Sequence, residues 1–400
     1  MSTSASSTTF RRFDPGRDEA AVRRILCLAF GGTNDGVGSY LDLVGRDSMR
    51  VLDDGGEHVP ACLARIPMGQ YFGGRSVPMV GIAAVGVAPE ARGARRALAL
   101  MQGCVRELAA ERMPLSCLYA STQALYRHVG FEQAGSKFEF RIPLRQLTEG
   151  TRDVPIVAIE SADDRVKACY REYAARFDGM LDRGPFIWSR VKQSRDAVFH
   201  GFAVVPHGAD GPIEGYLYFA QHRRDGGRHD VSLSDLAFTT PRAGLRLLGL
   251  LRDFTSMGLT LSFTGGPSHP LVVLLQQQWV EASLREWWML RIVDLERAIE
   301  ARGYAPATTV DVVIDVTDEL VPANAGRWTI EVANGHGGAH RHAAAGPAVR
   351  TNARGLAAMY SGFMSPMHAA LVGLAEGPAE ALERLGAAFA GNGPWMPDHF

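Results

Sequence analysis

Arg92, Arg95 and Arg96 crowd the short segment between two patterned stretches. Before them, Val80 to Val87 is an uncharged run with β-branched residues that ends at Ala88-Pro89 and reads as a buried strand. After them, Leu98, Met101, Val105 and Leu108 recur at spacings of three and four, which puts them on one face of an amphipathic helix. Strand, basic loop and helix N-terminus together make an anion site. The first helical turn offers free N–H groups and the positive end of the dipole, which suit a phosphate. Downstream, Ser116 to Tyr119 suggests a further short strand, and Ala124 to His128 a last helical turn carrying Tyr126 ahead of Gly130-Phe131. The chain closes on Gly393-Pro394-Trp395-Met396-Pro397-Asp398-His399-Phe400. Tails that float rarely end in Trp, Met and Phe, because exposing them costs solubility.

Strand, Val-x-Pro, Arg-rich loop, helix, strand and then Leu-Tyr-x-x-x-Gly-Phe resembles the acetyl-CoA core of the GNAT N-acetyltransferases. The length of 400 residues and the aromatic last residue, Phe400, narrow the resemblance to the enhanced intracellular survival (Eis) aminoglycoside acetyltransferases, a three-domain branch of that superfamily. It extends from about Phe13 to Phe400, with the sharp motifs in the first third. The resemblance implies an α/β (α+β) fold: a GNAT acetyltransferase domain at 1–150, a second GNAT-like domain without cofactor at 151–286, and a sterol-carrier-protein-like domain at 287–400 that supplies the C-terminal carboxylate. It also implies an enzyme, an acyltransferase that moves an acetyl group from acetyl-CoA (a substrate, with no metal) to an amine of an aminoglycoside-like or other polyamine acceptor. Transfer is expected to be direct, in a ternary complex, and the assembly a homohexamer.

Carried onto this sequence, the family's CoA pyrophosphate lies on the backbone N–H groups of Gly93, Ala94, Arg95, Arg96, Ala97 and Leu98, with Arg92, Arg95 and Arg96 adding charge. The pantetheine arm pairs with Val85-Gly86-Val87 as an added strand, and the Val85 N–H polarises the thioester oxygen. Ser121 and Thr122 fall where the family meets the far end of the cofactor; they equally suit an N-cap for the Tyr126 turn. The resemblance makes Tyr126 the general acid for the departing thiolate and the Phe400 carboxylate the base, with His399 and Asp398 as rival bases. One position departs from the family's Arg/Gln-x-x-Gly-x-Gly/Ala loop: Arg95 stands at the central glycine, where a Cβ and a long side chain meet the pyrophosphate. That departure leaves the alternative of a non-catalytic or weakly catalytic acyl- or lipid-binding protein, and the bare Ala83-Ala84 strand that of an acyltransferase for longer acyl-CoA donors. Asp35, Asp42, Tyr40, Phe30 and Asp398 are candidate walls for a cationic acceptor, whereas Ala83-Ala84 leaves the strand bare.

Composition sets the frame around these residues. Four hundred residues exceed what one hydrophobic core supports, so two or three domains are expected. Lys plus Arg total 42 and Asp plus Glu 43, a balance that gives no electrostatic footprint for nucleic acid. Five scattered cysteines (Cys27, Cys62, Cys104, Cys117, Cys169) fit reduced thiols in a cytoplasmic protein better than a disulfide framework. The Ser/Thr-rich first nine residues read as a frayed tail and not a signal peptide, and the uncharged run Gly355 to Ala375 is broken by Pro366 and polar residues, so no membrane span is expected.

The elements that must position the site follow in order. A helix is expected around Asp18 to Leu26, then a Gly-rich loop (Gly31 to Gly36), then strands at Met49–Asp53, Ala61–Met68 and Met79–Val87 with Gly55-Gly56 and Gly73-Gly74 as turns. Phe138 to Ile142 is expected to close the first domain. A helix from Asp163 to Phe177, strands at Ala197–Val205, Gly215–Gln221 and Val231–Phe238, then Thr239-Thr240-Pro241-Arg242 and a helix at Leu245–Asp253 repeat the strand–Pro–Arg–helix theme. The character changes at Trp287 to Asp294. Beyond it come a helix (Leu295–Arg302), strands (Val310–Val316, Trp328–Val332) and helical pieces from Gly355 to Leu385. Val332 to Pro347, with His336, His340 and His342, reads as a solvated linker.

Overall fold

The computed structural model describes residues 8–56, 59–159, 164–192, 197, 199–343 and 346–400. The first module begins with β1 (Thr9–Arg12), α1 (Pro15–Phe30), α2 (Asn34–Val44), β2 (Met49–Asp53), β3 (Ala61–Phe72) and β4 (Arg75–Val87). Asp14 caps α1 by accepting from the Gly16 N–H, and Val22, Ile25 and Leu26 form its buried stripe. The Gly-rich segment is largely not a loop: the Thr33 hydroxyl accepts from the Gly36 N–H and starts α2 at Asn34, so capping chemistry outweighs glycine's low helix propensity. Gly73-Gly74 makes the β3–β4 hairpin with φ of +56° and +82°, the conformation a two-residue turn needs at both positions. Then come α3 (Arg96–Ala110), β5 (Leu115–Tyr119), α4 (Gln123–Arg127) and β6 (Glu132–Pro143). On α3 the buried stripe is Leu100, Met101, Cys104, Val105 and Leu108, with Leu98 only half-buried near the start.

The second module runs β7 (Ile156–Ile159), α5 (Asp164–Ala174), β8 (Leu181–Asp182), α6 (Pro185–Lys192), β9 (His200–Val204), β10 (Gly215–Arg223), β11 (His229–Phe238), α7 (Pro241–Arg252), β12 (Gly258–Gly265), α8 (Pro270–Val273) and β13 (Glu281–Ile292). The expected helix start at Asp163 and part of the strand expected from Ala197 lie outside the described residues. One sheet spans both modules in the order β1-β2-β3-β4-β5-β13-β6-β12-β11-β10-β9-β7, with β8 on β3. β6 forms where the closing strand of the first module was expected, but β13 lies between it and β5: Trp288 stands opposite Tyr119 on one side and Gly135 on the other. One expectation is corrected: Trp287 to Asp294 does not open a new unit, since Trp288 to Ile292 is a sheet interior, buried on both faces, and so shows no polar alternation to mark it as a strand. Gly135 makes the crossing possible, since a Cβ there would sit 2.1 Å from the Trp288 ring.

The third module comprises α9 (Leu295–Ala301), β14 (Val310–Thr317), β15 (Gly326–Ala333), β16 (His336–Arg341), β17 (Val349–Asn352), α10 (Ala353–Tyr360), α11 (Pro366–Leu371), β18 (Ala375–Glu376) and α12 (Ala379–Ala388), with a separate sheet ordered β16-β15-β14-β17-β18. The His-containing segment is therefore a strand over much of its length and not a linker. Gly337 and Gly338 erase its alternation in the sequence, yet Gly337 is where the Tyr304 ring packs, 2.4 Å from a built Cβ. Arg302 stands at the base of this module, 1% exposed and ringed by Phe72, Tyr304, Tyr360 and Phe389 at 5.1–5.7 Å. Its guanidinium donates to the Tyr360 carbonyl at 2.6 Å within the module, and its packing over the Phe72 ring ties that module to β3.

Candidate active site

β4 and β5 run parallel but pair only from Met79 with Leu115 to Ile82 with Leu118. On its other edge β4 bulges: Ala83 faces Ala64 and Gly86 faces Cys62, so Ala84 and Val85 share one partner. A bulge bends its strand and takes backbone groups out of the ladder. Ala84 pays for it with a left-handed φ of +51°, a conformation costly for a residue with a Cβ. The result is a fork whose open edge is Val85-Gly86-Val87. Gly86 is required behind it, since a Cβ there would lie 2.6 Å from Ile25 of α1.

The arginine loop stands beyond the fork. Gly93 has φ +81° and open space around it, and Arg95 has φ +54°. The residue at 95 thus departs from the family pattern while its backbone takes the left-handed conformation that glycine favours. Arg92, Gly93, Ala94 and Arg95 are exposed; Arg96, Ala97 and Leu98 are half-buried in the first turn of α3. Arg96 is paired with Asp54 at 3.1 Å and with Thr8, whereas Arg92 and Arg95 have no ion-pair partner among the described residues. Ser121 and Thr122 are exposed at the start of α4, where Thr122 holds the N-cap position without a side-chain capping bond.

Tyr126 is 5% exposed in the same apolar cluster as Val80, Ile82 and Leu118, edge-on to Phe131 at 6.4 Å. Burial pushes its phenol up to about 12, so it is fully protonated at neutral pH. The chain terminus reaches the opposite face of β4. A Cβ on Gly81 would lie 2.7 Å from the Phe400 ring, and side chains at 80 and 82 point the other way because strand residues alternate. Tyr126 and Phe400 therefore flank the sheet from its two faces next to the fork.

The tail is held residue by residue. The Ser136 N–H donates to the Pro394 carbonyl at 3.1 Å, the Trp395 N–H to the Asp178 carbonyl at 3.0 Å and the Thr264 hydroxyl to the Pro397 carbonyl at 3.2 Å. Tyr119 donates to the Asp398 carbonyl at 2.7 Å, stacks on His399 at 4.8 Å and meets the Phe400 ring edge-on at 5.8 Å. Arg183, 7% exposed, lies between the carboxylates of Asp235 (2.6 Å) and Asp398 (2.9 Å), its guanidinium 3.7 Å from the Tyr170 ring centre. Asp398 is thus engaged in anchoring the tail. His399 is held below the usual imidazole range by burial and by the Lys137 charge. Lys137 itself lies 5.5 Å from the Tyr119 ring centre and 3.9 Å from Glu286, its ammonium held down chiefly by burial. Of the expected acceptor walls, Asp42 pairs with Arg46, Tyr40 packs edge-on against Phe186 at 6.0 Å, and Phe30 is 61% exposed.

The second module repeats the fork and does not leave it open. β11 and β12 pair in parallel only to Ser232 with Ser262, and β11 bulges at Ser234, since Tyr218 faces Asp235 while Phe219 faces Leu233. Trp395 and Pro397 line one small cavity together with Leu233–Leu236 of β11 and Phe263 and Thr264 of β12. The tail is wedged in the second fork on its way to the first.

Two matches to an acetyltransferase (GNAT) domain cover residues 15–134 and 179–292, and a sterol carrier protein domain matches residues 295–397. The chain is an acetyltransferase of the GNAT type. An uncharacterised N-acetyltransferase of Streptomyces avermitilis is 28% identical over 347 residues, covering 82% of this chain and 83% of the relative. A GCN5-related N-acetyltransferase from Anabaena variabilis superposes on the acetyltransferase with a TM-score of 0.92 at 29% identity, over 98% of this chain and 100% of that one. Eis1 from Mycobacterium abscessus shares the fold, with a TM-score of 0.80 at 20% identity over 98% and 100% of the two chains. A GNAT domain takes acetyl-CoA as substrate, and the fork and arginine loop of the acetyltransferase are the features that suit it. Arg183, Asp235, Tyr170, Tyr119 and Lys137 went unflagged in the sequence. Arg183 and Asp398 lie 215 positions apart, with no local pattern to join them. Among the described residues no helix is long and apolar enough to cross a membrane, and the five cysteines are free.

Proposed function

We propose that the protein is an N-acetyltransferase that moves the acetyl group of acetyl-CoA directly to an amine, with Tyr126 as general acid and the Phe400 α-carboxylate as base. The observation that carries this reading is the docked tail, which brings the last residue against Gly81 beside the fork. In the mechanism, the pantetheine arm lies along Val85-Gly86-Val87 as an added strand, and the Val85 N–H faces the thioester oxygen. The pyrophosphate lies over Gly93 to Leu98, with Arg92 and Arg95 free to meet it and Arg96 steadied by Asp54. The carboxylate takes a proton from the acceptor ammonium, the amine nitrogen attacks the thioester carbon, and the C–S bond breaks as Tyr126 protonates the departing sulfur; the extra proton on the attacking nitrogen passes through water to the Tyr126 phenolate and restores it. A carboxylate of pKa ~3.5 in water is a weak base toward an amine, so the reading needs the closed, apolar surroundings of Phe400, 7% exposed, to raise its basicity.

The acceptor in this reading is a polyamine of the aminoglycoside type, and the assembly a homo-oligomer, hexameric by family habit. The test is thiol release from acetyl-CoA over a panel of aminoglycosides and small amines, using wild type, Tyr126→Phe and a chain extended by one residue after Phe400. Turnover lost in both variants supports the two roles together. Turnover kept in the extended chain moves the base to His399 or water, and an inactive wild type that fails to bind acetyl-CoA defeats the reading.

A further inference from the structure

A cleft of about 520 Å³ lies where α3 and the turn after Tyr126 meet the third module. Arg106 of α3, Arg127 of α4, Arg291 of β13 and Arg354 of α10 line it, with Asp318 and Glu319 beyond β14. Small-molecule sites have volumes of this order, but their walls are mostly apolar, and here four arginines take that place. The acceptor groups around them are saturated. Asp318 is 7% exposed and accepts from Arg291 Nη2 at 2.8 Å, from the Leu320 and Val321 N–H groups and from Asn324. Glu132 accepts from Nε and Nη2 of both Arg127 and Arg354 and from the Gln133 N–H.

The donors are not saturated. Among the described residues Nη1 of Arg127, Arg291 and Arg354 donates to nothing, and Arg106 has neither a hydrogen bond nor an ion pair. Arg291 points to a ligand most directly. It is 1% exposed, and its Nε is enclosed and unbonded. Nη1 is unbonded too, yet it keeps accessible surface and lies against Gly130, where a Cβ would be 1.6 Å away. Gly130 and Asp318 both line the cleft, so the guanidinium between them stands at its wall. Burial outweighs the Asp318 carboxylate and weakens the guanidinium's hold on its proton, as in a buried cation short of partners. Ala353, the first residue of α10, also lines the cleft and adds the positive end of a helix dipole.

We propose that this cleft binds a small molecule carrying phosphate groups, at a site separate from that for acetyl-CoA. Phosphate oxygens accept from several directions and match the guanidinium fork, and such charge-assisted bonds are roughly twice as strong as neutral ones. Arg106 follows Arg96 on α3 by roughly 15 Å at 1.5 Å per residue, so a pyrophosphate seated on the arginine loop leaves it uncovered. The seat spans two modules, with Arg106 in the first and Arg354 in the third. Glu319, exposed and without an ion-pair partner among the described residues, is the carboxylate that an anion here must tolerate.

The probe is inorganic pyrophosphate, titrated by calorimetry against the full chain, alone and at saturating CoA, with the rise in Tm as a second readout. One site per chain is expected to remain when CoA is saturating. The Arg106 side chain is exposed, so Arg106→Gln is expected to weaken that site about ten- to hundredfold while the Tm without probe stays unchanged. Arg92→Ala with Arg95→Ala is expected to leave the site as it is. Glu319→Gln removes a negative charge from beside the anion and is expected to tighten binding about two- to fivefold. No binding and no rise in Tm overturn the site. Binding unchanged by Arg106→Gln, or weakened by Glu319→Gln, overturns its place in the cleft. Binding abolished by saturating CoA gives the probe to the acetyl-CoA track and overturns the separate site.

Discussion

Gly81→Ala isolates the contribution of the terminal residue more cleanly than truncation does. The added methyl would lie 2.7 Å from one Phe400 ring carbon, 2.9 Å from a second and 2.8 Å from the Met68 methyl. Carbon atoms rest at about 3.5–4.0 Å, so the ring must retreat by about 1 Å, while the Met68 end swings aside at little cost. A shift of about 1 Å in a reacting group costs roughly 100-fold in rate. The expected result is therefore a kcat lowered about 100-fold, or about 2.7 kcal/mol of transition-state stabilisation, with the KM for acetyl-CoA little changed because Val85–Val87 is untouched. The assay is thiol release at saturating acetyl-CoA and amine. Phe400→Ala in the same background removes the ring, keeps an α-carboxylate and is expected to restore part of the lost rate. A kcat within about threefold of wild type for Gly81→Ala, or a double variant no better than the single one, would refute the idea that the position of Phe400 governs turnover.

Other expectations can be checked alongside. Arg183→Met leaves the buried Asp235 and Asp398 facing each other without their cation; breaking such a pair costs about 3–5 kcal/mol, so a lower Tm and faster carboxypeptidase digestion of the tail are expected, with Asp398→Asn in the same chain recovering part of both. Tyr126→Phe is expected to lower kcat about 10²- to 10⁴-fold at an unchanged Tm, measured in the same thiol assay. Arg92→Ala with Arg95→Ala is expected to raise the KM for acetyl-CoA and flatten its dependence on salt, since both side chains are exposed and have no ion-pair partner among the described residues. Glu132 carries the pH prediction. Burial pushes its carboxyl up, but hydrogen bonds from Arg127, the Gln133 N–H and Arg354 outweigh burial and hold it below the usual range. A lowered folded-state pKa means stability that is full above the ordinary carboxylate range and lost as pH falls through the folded value. Glu132→Gln is expected to lower Tm at pH 7 and to flatten the decline of Tm in acid; an identical acid decline in both proteins would defeat the assignment.

The arginine loop, the fork strand and the Tyr126 turn were legible because each is a local pattern: a β-branched run, a charge cluster and a three-four periodicity within some fifty residues. The docking of the tail was readable only as a refusal of Trp395, Met396 and Phe400 to stay in water. Where they went depends on Asp178, Ser136 and Arg183, which no spacing rule connects to them. β13 was misplaced for a related reason. Its inner half is buried on both faces and, Arg291 apart, apolar, so its periodicity could not say which sheet it enters. The strand at His336 was missed because two glycines and two histidines carry no strand signal by themselves; the Tyr304 ring over Gly337 supplies what the side chains lack. Capping was under-read at α2, where one threonine hydroxyl begins a helix inside a glycine-rich segment.

The place of β13 has a consequence for how the chain is made. β5 ends at Tyr119, and the strand that covers its far edge begins at Glu281, so the ribosome must add roughly 160 further residues before the two can pair. At ~5–20 residues per second the nascent first module waits on the order of ten to thirty seconds with the edge of β5 unprotected. An uncovered apolar strand edge is a template for pairing with any neighbouring chain. Crowded polysomes, not the finished molecule, are where this protein is most exposed to aggregation, and a gene fragment ending near residue 150 is expected to yield insoluble product however complete its acetyl-CoA motifs look.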